Sequence, residues 1–260
     1  MYSPGLGAST PGAGQWALRA ATRRVETSLE RLATGKRINR ASDDPAGMVA
    51  VESLKAQEAE LREKIKANEL QQQWTGARDG ALSVLGDLFT DLESLVLQGA
   101  NSAGLSGDEK RGLQDQIDSI LNTVDYLSNT LTFRGEQMLA GRNRNSFGIA
   151  ALASGGTLNI LTGNLEDAQK AATAAREAVT GERAAAGARA NGLDHEQNAL
   201  MKQLEELTGA RSKIEDTDFA AEVSALVRAQ AQQQVATFTQ MLAEKQRAST
   251  VLQLLSMASV

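Results

Sequence analysis

The stretch "RINRASDDPAGM", residues 37–48, decides the fold of this chain because it contains the sharpest helix boundary. Two adjacent carboxylates, Asp43 and Asp44, stand immediately before Pro45. Aspartate is a favoured N-cap, and its charge opposes the positive end of the helix dipole. Proline suits the first helical position because its φ is already helical and it has no amide to leave unpaired. The stretch therefore predicts a corner at which a second helix begins at Pro45.

Helical patterns lie on both sides of this corner. The segment from Gln15 to Ala33 returns apolar residues to one face, and Gly35 is expected to end it. After Pro45, no strong helix breaker occurs until residues 99–108. Apolar residues of this second helix recur at steps of three and four, which is the spacing of a coiled-coil seam. The residues of this seam are Trp74, Ala77, Ala81, Val84, Leu88, Leu92 and Leu95.

Further helix signals follow along the chain. Ser106 and Glu109 have the spacing of a capping box, which predicts the start of a third helix returning antiparallel to the second. Two short β-prone runs around Gly155 and Gly156 predict a hairpin. Helical spacing resumes at Leu165, and a last helix is expected to open near residues 216–223.

These signals together predict a mainly α fold. We expect a long antiparallel helical bundle or coiled coil with one small β-hairpin near residues 145–161, and terminal helices that pair with each other. The predicted organisation is a flexible N-terminal arm at 1–14, a helical bundle domain at 42–214, and a terminal domain assembled from residues 15–41 and 215–260.

Composition excludes several functional classes. The 260-residue chain is 42% hydrophobic but only 3% aromatic, a profile of long packed helices rather than of an aromatic-rich enzyme. Its formal charge of −5 offers no attraction to nucleic acid or to an anionic membrane. The absence of cysteine excludes disulfides and thiolate metal sites. We expect neither a cleaved signal peptide nor a membrane anchor, because no basic and apolar leader pattern and no long apolar run occurs.

Candidate chemistry is equally sparse. The acidic run "IEDTD", residues 214–218, precedes a helix as Asp43 and Asp44 do, and neither cluster has the ligand spacing of a calcium loop. His195 is the only histidine and belongs to no catalytic triad or HExxH motif. No glycine-rich phosphate loop follows a strand. We therefore predict no catalytic residue, no metal site and no cofactor.

The two ends of the chain resemble those of the bacterial flagellins. "SLERLATGKRINRASDDPAGM", residues 28–48, is similar to the N-terminal signature of that family, and "SKIEDTDFAAEVSALVRAQ", residues 212–230, is similar to its C-terminal one. "TFRGEQMLAG", residues 132–141, and "VLQLL", residues 251–255, also resemble flagellin segments. The likeness covers roughly residues 15–255.

This resemblance implies a structural subunit that polymerises with itself into the flagellar filament. Its terminal helices would line the inner tube of the filament, and the central bundle would form the outer one. It also implies an extracellular location, export without a cleaved signal peptide, and export-apparatus, export-chaperone, hook-associated and cap proteins as partners. The residues expected at assembly surfaces and domain corners are Leu29, Leu32, Arg37, Asn39, Asp43, Asp44, Pro45, Ile214, Asp216, Asp218, Phe219, Val223, Leu226, Leu252, Leu254 and Leu255.

Two features depart from the family pattern. Residues 1–14 are rich in glycine and proline where flagellins usually continue their terminal helix, and residues 142–163 leave no room for large outer domains. A hook–filament junction protein, which shares the "SDDP" corner, is one alternative. A signalling coiled coil is another, although it would lack the proline-started corner.

The resemblance also concerns an outside partner. Flagellins recognised by the vertebrate Toll-like receptor for flagellin carry arginines in a stretch that corresponds to "LFTDLESL", residues 88–95. Here Asp91 and Glu93 occupy the arginine positions, with Thr90 and Leu95 beside them. Because like charge would oppose a surface built to pair with guanidinium, we predict weak receptor activation.

Overall fold

A computed structural model describes residues 13–101 and 104–258, with side chains up to residue 252. This part of the chain contains five long helices: α1 (Ala13–Thr34), α2 (Pro45–Ala100), α3 (Gly107–Thr130), α4 (Leu165–Glu215) and α5 (Phe219–Ala258). The prediction of a mainly α fold is confirmed. Within the described residues, none of the helices combines the length and the apolarity that a bilayer crossing requires.

The helix boundaries follow the local signals. Gly35 has a φ of 71° directly after α1, and α2 begins at Pro45. The capping box at the start of α3 is formed, because Glu109 N donates to Ser106 Oγ while Ser106 N donates to Glu109 Oε2. α1 begins at Ala13 rather than at Gln15, so the predicted arm is shorter at its C-terminal end. The rest of that arm, residues 1–12, lies outside the described residues.

The chain divides into two compact units. One unit contains the described residues up to Glu60 together with those from Leu204 onward, and the other contains Leu61–Gln203. In the first unit α1 packs against α5, as predicted, and adjoining segments of α2 and α4 complete it. α2 and α4 therefore each contribute to both units.

The core of the second unit is built from α2, α3, α4 and the irregular segment that follows α3. Phe89 on α2 meets Phe147 edge to face, with ring centroids 4.9 Å apart. Fully buried aliphatic side chains of α2 and α3 surround this pair. Small residues of α4 complete the core, because alanine side chains allow helices to pack closely. These residues are Ala168, Ala172 and Ala175.

The predicted seam of α2 is partly wrong in phase. Val84 is 47% exposed, and Leu88 and Leu95 are only partly buried. Ala81 and Leu92 of the predicted seam are buried, but the other fully buried side chains are Leu82, Leu85, Phe89 and Val96. Apolar residues of this part of α2 share one broad face that contains both sets, so periodicity alone does not choose the stripe at its centre. Packing against several elements makes that choice.

The predicted hairpin near residues 145–161 is also wrong. In the described residues the only strands are β1 (Thr132–Phe133) and β2 (Glu136–Gln137), which pair antiparallel. Arg134 and Gly135, with φ values of 53° and 88°, make the two-residue turn between them. Two consecutive left-handed residues match the right-handed twist of a hairpin. Residues 145–161 contain turns and a short 3-10 helix, Ala150–Leu152.

Polar side chains explain why residues 145–161 are irregular. The buried Gln114 of α3 donates to Leu152 O at 2.8 Å and accepts from Ile160 N at 2.9 Å. Asp118 of the same helix accepts from Ser154 N at 2.9 Å. Backbone groups that a hairpin would pair across strands are thus satisfied by α3.

Candidate functional site

The first corner, residues 35–44, uses its two aspartates separately. Asp43 Oδ2 accepts from Arg40 N at 2.9 Å and from Asn39 N at 3.1 Å. These hydrogen bonds favour the ionised form and hold the pKa of Asp43 below its ordinary range. Asp44 Oδ1 accepts from Gly47 N at 2.8 Å, which makes Asp44 the N-cap of α2. The carboxylates therefore stabilise backbone turns, as the sequence predicts.

The second corner, between α4 and α5, repeats this design. Asp218 Oδ1 accepts from the backbone N–H groups of Ala220 and Ala221 at 2.9 and 3.1 Å. Asp216 Oδ2 accepts from Ser212 Oγ at 2.5 Å, which ties the corner to the last turn of α4. Both acidic runs thus cap helices.

The two corners are joined to each other. Lys36 and Asp216 form an isolated antiparallel bridge, and Arg37 N donates to Glu215 O at 2.6 Å. The Arg37 guanidinium also donates to Ile214 O at 2.8 Å. Backbone pairing between segments this far apart in sequence places the ends of α1 and α4 side by side. We call this arrangement, residues 35–44 with 211–218, the paired corner.

A buried carboxylate lies at the centre of the paired corner. Glu215 is 5% exposed, and its oxygens lie 2.6 Å from Lys36 Nζ, 3.5 Å from Arg211 Nε and 3.7 Å from Lys55 Nζ. Arg211 also contacts the buried Glu58 at 3.0 Å. The three cations together offset the burial of this carboxylate, since a buried charge left wholly unpaired costs about 3–5 kcal/mol. The sequence places Arg211 four residues before Glu215 on the same helix, but it gives no sign of Lys36 or Lys55 beside that carboxylate.

The α1–α5 pair forms the second part of the candidate site. The contact is closed by Ala21 and Ala229, which are both buried. Polar contacts cross it as well: Arg24 Nη1 donates to Gln232 Oε1 at 2.9 Å, and Arg31 lies 3.7 Å from Glu222. The two helices are therefore held by small-residue packing and hydrogen bonds rather than by a large apolar core.

Many of the large apolar side chains of α5 that the structure describes are exposed. Phe238 is 64% exposed and Met241 63%, and on α1 Trp16 is 71% exposed. Monomeric proteins rarely leave so many large apolar residues in water without a partner. We call this set the exposed α5 face: Phe219, Val223, Val227, Val235, Phe238, Met241, Leu242, Val251 and Leu252.

The predicted assembly residues fall into four groups. Leu29, Phe219, Val223 and Leu252 are exposed, whereas Leu32 and Leu226 are half-buried in the first unit. The corner residues are half-buried or exposed and hydrogen-bonded as described above, with Pro45 at the first position of α2. The side chains of Leu254 and Leu255 lie outside those that the structure describes.

Only part of the predicted receptor stretch is exposed and without ion pairs inside the described part of the chain. Thr90 and Asp91 are exposed, and Leu95 is half-buried against the core. Glu93 accepts from Arg176 Nε at 2.8 Å and from Thr173 Oγ1 at 2.7 Å, so it joins α2 to α4. Asp91 is therefore the one position of the two at which an arginine could be introduced without breaking an internal ion pair.

Nothing in the described residues suggests catalysis. No group of three or more histidine, cysteine, aspartate and glutamate side chains there is arranged to hold a metal ion. His195 is exposed on α4. The geometry of the paired corner and of the exposed α5 face is suited to joining protein segments.

Two family models match this chain. The model described as the bacterial flagellin N-terminal helical region matches residues 14–144, and that described as the bacterial flagellin C-terminal helical region matches residues 169–255. The first of these covers α1, α2 and α3, and the second covers most of α4 and α5.

Relatives agree with the family models. Flagellin of Halalkalibacterium halodurans is 26% identical over 251 residues, covering 88% of this chain and 91% of the relative. Flagellin of Bacillus subtilis is 25% identical over 250 residues, covering 76% and 82%. Flagellin B of Helicobacter pylori is 35% identical over 127 residues, but this chain spans only 24% of its length. With both terminal regions matched, the chain belongs to the bacterial flagellin family.

Proposed function

We propose that this chain is a structural subunit that polymerises with itself into the bacterial flagellar filament. The family is a structural one rather than an enzyme family. The single observation that carries the proposal is the exposed α5 face, because burying it against neighbouring copies removes large apolar side chains from water. Each such side chain contributes about 1.5–3 kcal/mol on full burial.

The paired corner supports the same function. Its bridge and buried charges join the end of α1 to the start of α5, at the positions where α2 begins and α4 ends. A subunit that joins a polymer through its terminal helices needs those helices oriented before neighbours bind. In this proposal residues 15–41 and 215–260 form the inner filament domain, and residues 42–214 form the outer bundle.

The proposal extends to location and partners. A filament component of this family is extracellular. We propose that the chain reaches that location through the flagellar export apparatus, with an export chaperone and without a cleaved signal peptide. Hook-associated and cap proteins would contact the ends of the filament. Support for these partners comes from family resemblance alone.

Salt-induced assembly of the purified protein tests the central claim. We expect the wild-type chain to form filaments visible by negative-stain electron microscopy and to enter the pellet above a critical concentration. Phe238→Glu places a charge in the exposed α5 face and should prevent assembly while the circular dichroism spectrum is unchanged, because its side chain is 64% exposed in the monomer.

Gln234→Glu is the matched control, since it adds the same charge to an exposed polar position of the same helix. This control should assemble. Filaments of normal length from Phe238→Glu would refute the proposed role of the exposed α5 face.

The two alternatives receive less support. The relatives matched along most of the chain are named flagellins, which does not favour a hook–filament junction protein. A signalling coiled coil is not favoured either, because both flagellin terminal regions are matched.

A further inference from the structure

A cleft in the second unit lies between the β1–β2 hairpin and helices α2 and α4. Its volume is about 430 Å³, and its walls combine aromatic with cationic side chains. Trp74 and Thr75 come from α2, Phe133 and Arg134 from the hairpin, and Arg189 from α4. Three separate elements therefore converge on one concave surface, which we call the hairpin cleft.

Two buried polar groups of the hairpin cleft have no partner in the described part of the chain. They are the indole Nε1–H of Trp74 and the hydroxyl of Thr75, a residue that is 3% exposed. Buried donors are nearly always paired, because an unpaired one loses its hydrogen bonds to water without replacement. The guanidinium of Arg78 lies 5.4 Å from the Trp74 ring centroid and supports that indole. The indole nitrogen of Trp74 and the hydroxyl oxygen of Thr75 have almost no accessible surface, so the Trp74 indole lies beside the cleft as a reporter of its occupancy rather than as a direct ligand.

The two arginines add a charge requirement. Among the described residues, no carboxylate lies within ion-pair distance of Arg134 or Arg189, and the hydrogen bond from Arg189 to Gln71 is long, at 3.4 Å. Arg134 has a φ of 53° at a turn position that favours glycine or asparagine. An arginine in this left-handed conformation costs conformational energy, and its guanidinium makes no ion pair within the described chain. Such strain is typical of a residue that contacts an outside partner.

We propose that the hairpin cleft binds a carboxylate side chain presented by a second copy of this chain. The carboxylate would accept from the guanidinium groups of Arg134 and Arg189, beside the Trp74 ring. An apolar stem of the same side chain would lie against Phe133. This inference rests on the proposed function, because it assigns a specific contact between neighbouring subunits.

A second copy is the occupant that the charges favour. A helical polymer of identical copies needs two different complementary patches on each copy. Asp and Glu residues number 32 against 27 Lys and Arg residues, so the chain has an excess of acceptors for a cationic cleft. The cleft itself contains two arginines and a single carboxylate, Glu136. Electrostatic complementarity between copies would also set their register.

Three variants test the proposal through the critical concentration for assembly. Arg134→Gly removes the guanidinium and leaves a residue that the left-handed turn prefers, so the hairpin is retained. Arg189→Gln removes the second charge. Arg183→Gln is the control, because Arg183 lies on the same helix but pairs with Asp79 at 3.2 Å, away from the cleft. We expect each cleft variant to raise the critical concentration about tenfold, and the control to change it less than about twofold.

The indole signal of Trp74 supplies a direct measurement on the monomer. The chain has two tryptophans, so a Trp74→Phe variant identifies the Trp74 resonance in an amide correlation spectrum. Benzoate, a carboxylate on an apolar body, should shift this resonance, and the same concentration of benzoate should raise the critical concentration of the wild type. Arg134→Gly should lose both responses.

Each other outcome overturns a defined part of the proposal. Wild-type critical concentrations for both cleft variants would refute the inter-subunit contact while leaving the filament function intact. A benzoate-shifted indole without any effect on assembly would assign the cleft to a free organic acid instead of a second copy. A wild-type protein that never assembles would refute the proposed function, and the second-copy occupant with it.

Discussion

Gly47→Ala is expected to weaken the first corner. A Cβ at position 47 would lie 2.5 Å from Asp44 Oδ2 and 2.6 Å from Ile38 Cδ1. Asp44 Oδ1 accepts from Gly47 N at 2.8 Å, and Ile38 is 3% exposed. The new methyl group can be accommodated only if the capping carboxylate turns away or the buried isoleucine moves.

The expected magnitude follows from these contacts. Losing the N-cap costs about 1 kcal/mol, with a range of roughly 0.5–2. Overpacking against a buried side chain costs about 1–3 kcal/mol. Replacing glycine by alanine within a helix returns about 1 kcal/mol. We therefore expect Gly47→Ala to destabilise the folded chain by about 1–3 kcal/mol, since the two costs together exceed the helix gain.

Gly209→Ala is the matched control in the same compact unit. Gly209 lies within α4, is exposed, and would place its Cβ more than 4 Å from the atoms considered as neighbours. Only the propensity gain applies there, so this variant should be more stable than the wild type by up to about 1 kcal/mol.

Urea unfolding followed by circular dichroism measures both variants. Because the chain has two units, the slope of each transition must be compared with that of the wild type before midpoints are converted to free energies. A Gly47→Ala protein as stable as Gly209→Ala would refute the reasoning, since it would show that Ile38 and Asp44 can move without cost.

Three further predictions concern other residues. Asp43→Asn should remove part of the acid sensitivity of unfolding, because backbone hydrogen bonds lower the pKa of Asp43 in the folded chain. The contribution of Asp43 to the free energy of unfolding is present above the ordinary carboxyl pKa of 3.8 and is lost as pH falls through the lower folded pKa. Urea midpoints measured between pH 2 and 6 would show the difference between the variant and the wild type. Ser106→Ala should destabilise the start of α3 by about 0.5–2 kcal/mol by removing the Ser106 hydroxyl from the box it forms with Glu109, and unchanged amide exchange of the first turn of α3 would contradict this. Asp91→Arg should raise signalling through the Toll-like receptor for flagellin without unfolding the monomer, because the substitution leaves Glu93 paired; an unchanged response would exclude Asp91 as the cause of weak recognition.

Local interactions allowed much of the fold to be predicted from the sequence. Gly35 and Pro45 act through their own φ angles, and Asp44 and the box of Ser106 and Glu109 act through hydrogen bonds within three residues. Such signals mark helix ends regardless of what packs around them. The prediction that both acidic corners cap helices also rested on neighbouring residues alone.

Signals without local chemistry led to errors. The β-prone run at residues 145–161 is irregular because Gln114 and Asp118, on another helix, take its backbone hydrogen bonds. The true hairpin turn, Arg134 and Gly135, is not the asparagine–glycine or aspartate–glycine pair that usually marks one. The buried stripe of α2 depended on which part of its broad apolar face the neighbouring elements covered.

For this protein, the sequence by itself determined where α1 ends and where α2 and α3 begin, because capping and proline rules operate within one helical turn. Only the tertiary structure decided which distant charges meet. Lys36 meets Glu215, Arg211 meets Glu58, and Arg176 binds Glu93 across two helices. No spacing in the sequence encodes these pairs, since each depends on how separate helices are placed by the burial of their apolar faces.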